Sequence, residues 1–136
     1  MPPLELFLSH CHEDHEAVGR LTAILRDHGV PVWLSEDAIR GSRRWHDEIG
    51  AALARCDWFM VLLSPASVRS DWVKEEIQYA MRQPRLRTRI IPVMHETCDP
   101  DQLSWTLGNR QMIDLRADWQ AGCRELLRIW GIGLRQ

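Results

Sequence analysis

Trp58-Phe59-Met60-Val61-Leu62-Leu63, closed by Ser64-Pro65, is the stretch on which the architecture turns. Six apolar residues in a row do not alternate, so neither face of this strand meets water. That is the pattern of a central strand in a parallel sheet with helices on both sides. Upstream, Leu4–Ser9 reads as a short buried strand and Val30–Leu34 as a second, with Pro31 near its start. Between them, Glu13–His28 reads as a helix with Ala17, Val18, Leu21, Ile24 and Leu25 on one face and Gly29 as its cap. Trp45, Ile49, Ala52, Leu53 and Cys56 mark another helix. Downstream follow a helix over 71–83 ended by Pro84, a strand over 89–94, a weaker strand over 111–115 and a helix over 119–130. The segment 95–110 has no regular pattern.

Strands alternating with helices predict an α/β fold, a flavodoxin-like three-layer sandwich around a central five-stranded parallel sheet. The 136 residues fit one domain spanning 1–136, without repeats, linkers or low-complexity stretches. In such sheets ligands bind beyond the carboxyl ends of the strands, where the strand order reverses. For the order 2-1-3-4-5 that crevice lies between Ser9, ending the first strand, and Ser64, ending the third.

Composition excludes several functions. The net charge of −2 gives no basis for nucleic-acid binding. Lys74 is the only lysine, and such arginine bias points to a bacterial proteome. No apolar run is long enough to span a membrane, and no signal peptide is readable. Cys11, Cys56, Cys98 and Cys123 are far apart and form no CxxC, so free thiols in a reducing cytoplasm are expected. A phosphorylation receiver needs carboxylates where Ser9 and Ser64 stand. Neither GxGxxG nor GxxxxGK[ST] is present, which removes a Rossmann cofactor and a P-loop nucleotide.

Ser70-Asp71-Trp72-Val73-Lys74-Glu75-Glu76-Ile77 carries the chemistry. On a helix, positions four apart share a face, so the Trp72 indole stands beside the Glu76 carboxylate. An aromatic plate next to one acid can hold a flat cationic ring and stabilise a sugar cation. Glu75 lies about 100° round the helix and is expected in solvent. The plainer alternative is an amphipathic helix with a core Trp and a solvated Glu. The loop from Ser35 to Trp45 is dense in charge, and Gly41 permits a turn that other residues resist. It is either a solvated connection or a binding and self-association loop. Trp33 is expected in the core. His10-Cys11-His12-Glu13-Asp14-His15 reads HxHxDH and resembles the metal site of the metallo-β-lactamase fold. That fold needs a longer chain and more ligands, and His28, His46 and His95 bring no supporting pattern. No metal site is expected.

Taken in order, these pieces resemble the Toll/interleukin-1 receptor (TIR) domain over nearly the whole chain. Leu6-Phe7-Leu8-Ser9-His10 is similar to the first-strand box, and Val32-Trp33-Leu34 with Ile39-Arg40-Gly41-Ser42 and Trp45 to the second strand and BB loop. Phe59–Leu63 with Ser64-Pro65, Trp72 with Glu76 as a WxxxE box, and Ile90-Ile91-Pro92-Val93 complete the set. Ser35 stands where the family often has Asp. The resemblance implies an enzyme cleaving the nicotinamide–ribose bond of NAD+, a substrate here and not a cofactor, with Glu76 catalytic. Trp72, Ser9, His10, Gly41, Ser42 and Trp45 would border the substrate. Nicotinamide leaves as a neutral ring, so neither a general acid nor a metal is needed, unlike glycosidases with paired carboxylates. Water as nucleophile gives ADP-ribose; attack by the substrate's own adenine gives a cyclic product. The resemblance also implies homo-oligomerisation through loop 35–45 and a role in bacterial immune defence or cell death. The alternative is a non-catalytic TIR–TIR interaction module.

Overall fold

The computed structural model describes residues 2–34 and 45–135, Trp45 and His46 by backbone alone. The strands are β1 (Leu6–Ser9), β2 (Val32–Leu34), β3 (Trp58–Leu63), β4 (Ile90–Met94) and β5 (Ile113–Asp114). The helices among the described residues are α1 (His15–Asp27), α2 (Trp45–Arg55), α3 (Asp71–Arg82) and α4 (Trp119–Arg128). All strand pairs are parallel, in the order β2-β1-β3-β4-β5. This is the expected order, with its reversal between β1 and β3.

Strand alternation sorts the core into two layers. Phe7, Phe59, Val61, Leu63, Ile90 and Met94 pack with Ile49, Ala52 and Leu53 of α2 and Val73, Ile77 and Ala80 of α3. Leu6, Leu8, Met60, Leu62, Ile91 and Val93 pack with Val18, Leu21 and Leu25 of α1 and Cys123, Leu126 and Leu127 of α4. The apolar run of β3 is therefore explained, because its two sets of side chains belong to opposite cores. Trp33 is half-buried and stacks on Phe7 at 5.1 Å, as expected of a core aromatic.

Several boundaries differ from expectation for physical reasons. β2 starts at Val32 because the Val30 amide donates to Leu25 O and closes α1, with Gly29 at φ 81° making the turn. A tight turn, His12–Asp14, precedes α1, which begins at His15 and not Glu13. β5 pairs through only Ile113 and Asp114. The segment 95–110 holds two short turns, Pro100–Gln102 and Leu107–Asn109.

Candidate active site

Ser64 ends β3, and its amide donates to Ser67 Oγ at 2.9 Å. The turn Ser67–Arg69 leads to Ser70, whose hydroxyl accepts from the Val73 amide at 3.3 Å and caps α3. Trp72 thus sits in the first turn of α3 and Glu76 in the second. Glu76 is 2% exposed, and the adjacent Glu75 is exposed, as the helical rotation requires.

The reason Glu76 can be buried lies in β1. Phe7 faces the α2–α3 layer, so Ser9, two residues on, faces the same way. Its hydroxyl donates to Glu76 Oε1 at 2.7 Å. Ser9 is itself fully buried, and His10 beside it is buried as well. A hydrogen bond to a carboxylate is among the stronger polar contacts, and burial sharpens it. The end of the first strand thereby orients the acid of the third helix.

Trp72 is half-buried and borders a cavity of about 430 Å³ with His12, Glu13, Arg69 and Asp71. Glu76 borders a different cavity of about 340 Å³, between α2 and α3, with Ile49, Leu53, Tyr79 and Arg82. The described residues therefore bring Ser9 and Glu76 together and place Trp72 one turn away, on a neighbouring hollow. Gly41 and Ser42 lie outside the described residues. Trp45 opens α2, and its side chain also lies outside them.

A polar cluster beside this edge is not evident from spacing. Asp14 is buried and accepts from Ser64 Oγ at 2.5 Å and from Cys11 Sγ at 3.1 Å. It occupies the residue before α1 but makes no side-chain cap, so it ties the β1–α1 turn to the end of β3 instead. Burial, then the contact with Asp14, pushes the Cys11 thiol up to about 12. Arg69, which lines the Trp72 cavity, was equally hidden, its only signal being its place between the β3 turn and the α3 cap. The HxHxDH stretch does not assemble a metal cluster. Among the described residues the one group of His and carboxylates placed to share an ion is Asp14, His95 and Glu96.

The chain is 28% identical over 107 residues to the 2' cyclic ADP-D-ribose synthase AbTIR of Acinetobacter baumannii, covering 77% of this chain and 40% of that protein. It is 25% identical over 104 residues to the 2' cyclic ADP-D-ribose synthase BtTIR of Bacteroides thetaiotaomicron, covering 75% and 36%. It is 24% identical over 136 residues to the NAD(+) hydrolase PdTIR of Paracoccus denitrificans, covering 91% and 46%. The chain thus spans less than half the length of these curated relatives. Its fold matches the TIR domain of the Toll-related receptor TRR-2 of Hydra magnipapillata at a TM-score of 0.74, with 16% identity, over 91% of this chain and 95% of that one. It also matches the TIR domains of the activated Roq1 resistosome at 0.70, with 17% identity, over 93% and 98%. A family model described as TIR domain matches residues 6–127, and the chain belongs to the TIR domain family.

Proposed function

We propose that this chain cleaves NAD+ at the nicotinamide–ribose bond, with Glu76 as the catalytic carboxylate. The observation that carries the reading is the buried Glu76, fixed by Ser9 Oγ at 2.7 Å one turn beyond Trp72. The names of the bacterial relatives, an NAD(+) hydrolase and two cyclic ADP-D-ribose synthases, support it.

The C1′–N bond breaks heterolytically, and its electron pair goes to the nicotinamide nitrogen. The pyridinium becomes a neutral leaving group, so no proton has to be delivered. The positive charge passes to the ribosyl carbon and ring oxygen, where the Glu76 carboxylate stabilises it. Before cleavage, Trp72 stacks on the charged pyridinium, a cation–π contact contributing about 0.5–2 kcal/mol. Water then adds to C1′ and loses a proton to give ADP-ribose, or a nucleophile of the substrate itself adds to give a cyclic product. His10, Gly41, Ser42 and Trp45 border the substrate in this reading. The role in bacterial defence and the cytoplasmic setting belong to the same proposal; four free cysteines fit a reducing compartment.

Assembly is part of the reading. Loop 35–45 of one copy completes the pocket of its neighbour, so activity per molecule rises with concentration. A solved neighbour in fold comes from an assembled resistosome, which favours association as a second, purely structural function. The test is to incubate concentrated protein with NAD+ and quantify nicotinamide, ADP-ribose and cyclic products by chromatography, then repeat at high dilution. Nicotinamide release that falls per molecule on dilution supports cleavage by an assembly. No release at any concentration or under crowding leaves the interaction module as the function.

A further inference from the structure

We propose that Asp14, His95 and Glu96 form a site for one divalent transition-metal ion of the zinc type, bridging the β1–α1 turn and the carboxyl end of β4. The donor atoms of these three side chains all lie within 4.8 Å of one another. His95 Nε2 stands 3.6 Å from Glu96 Oε1. Zinc bonds of about 2.0–2.2 Å arranged tetrahedrally put neighbouring ligand atoms about 3.4 Å apart, so this edge is already of the required size. The remaining edges close by less than the length of a hydrogen bond.

The charges call for a cation. Two carboxylates converge, one of them buried, yet among the described residues no Arg or Lys forms an ion pair with Asp14 or Glu96. Arg116, which donates to Thr97 next to Glu96, is committed to Asp114 at 2.9 Å. A divalent ion between the two carboxylates offsets their mutual repulsion.

The surroundings have the form of a metal site's supporting shell. Asp14 is held by Ser64 Oγ and Cys11 Sγ, as ligating carboxylates commonly are. The His95 ring meets the edge of Trp119 at 6.0 Å, and Arg20 covers that indole at 4.2 Å. An imidazole with two carboxylates selects zinc or its neighbours over magnesium and calcium, which prefer oxygen alone. The ion takes no part in the NAD+ chemistry proposed above; it clamps the turn after β1 to the strand two places away in the sheet.

The experiment titrates chelator-treated protein with zinc chloride against a chromogenic chelator, following melting temperature in parallel. Binding of one zinc per chain, weakened about tenfold or more in His95→Gln and in Glu96→Gln, is expected. Zinc should raise the melting temperature of the parent but not of these variants. Cobalt should give a ligand-field absorption band that both variants lose. His12→Gln, in the HxHxDH stretch, should bind as the parent does. Glu96 is exposed and His95 partly so, and circular dichroism verifies that both variants fold. Absence of saturable zinc binding, or equal binding by the parent, His95→Gln and Glu96→Gln, overturns the proposal. So does binding lost in His12→Gln alone.

Discussion

Removing the Ser9 hydroxyl tests the contact that holds the site together. Ser9 and Glu76 are both buried, and the 2.7 Å bond between them joins β1 to α3. A hydrogen bond to a charged acceptor contributes about 1.5–3 kcal/mol, against about 0.5–1.5 kcal/mol for a neutral one. Ser9→Ala should therefore cost about 2 kcal/mol. In a Glu76→Gln background the amide oxygen still accepts from Ser9, so the same substitution should cost only about 1 kcal/mol. The double-mutant cycle then gives a coupling of about 1 kcal/mol. Urea unfolding, followed by tryptophan fluorescence and circular dichroism, is the assay. With a slope of about 2 kcal/mol per molar urea, Ser9→Ala moves the midpoint down by about 1 M. An unchanged midpoint, or the same cost in both backgrounds, would refute the reasoning that Ser9 orients an ionised carboxylate.

Other outcomes follow from single contacts. Ser70→Ala removes the hydroxyl that accepts from the Val73 amide and caps α3, and should cost about 1 kcal/mol in the same assay. Gly122→Ala places a Cβ 2.6 Å from Asp114 O and 2.5 Å from Leu115 Cδ2, which drives α4 off β5. It should lower stability by about 2 kcal/mol or more, read as a drop in melting temperature. Burial raises the Cys11 and Cys56 thiols from 9.0 to about 12 in the folded chain. Between those values the unfolded chain releases protons that the folded chain keeps. The stabilisation is thus complete below about pH 9 and is lost as pH rises toward 12, by up to about 1.4 kcal/mol per pH unit per thiol. Melting temperatures across that range should fall less steeply in a Cys11→Ala, Cys56→Ala double variant.

The architecture was legible because the sheet's two-sided burial writes itself into β3 as an unbroken apolar run, and into the helices as apolar faces of matching period. Parallel pairing followed from the βα alternation, and the order 2-1-3-4-5 of a flavodoxin-like sheet set the ends of the first and third strands at one edge. Ends of elements were less legible. Val30 looks like strand residue, yet its amide serves the close of α1. The pairing of β5 is too short to impose a period. At the site, Glu76 and its separation from Glu75 followed from helical geometry, and Ser9 from the topology. The Asp14–Ser64 bond joins residues fifty positions apart and has no local signal. The same holds for His95, whose neighbours in sequence gave no ligand pattern while the fold brought Asp14 to it. Gly41, Ser42 and the Trp45 side chain lie where no contact is described.

The central claim is that the Glu76 carboxylate, and not its neighbour, cleaves the nicotinamide–ribose bond. The direct measurement is nicotinamide released from NAD+ by the concentrated parent, Glu76→Gln and Glu75→Gln, each verified as folded. The account predicts release by the parent and Glu75→Gln, and none above background by Glu76→Gln. Equal release by Glu76→Gln and the parent would contradict it.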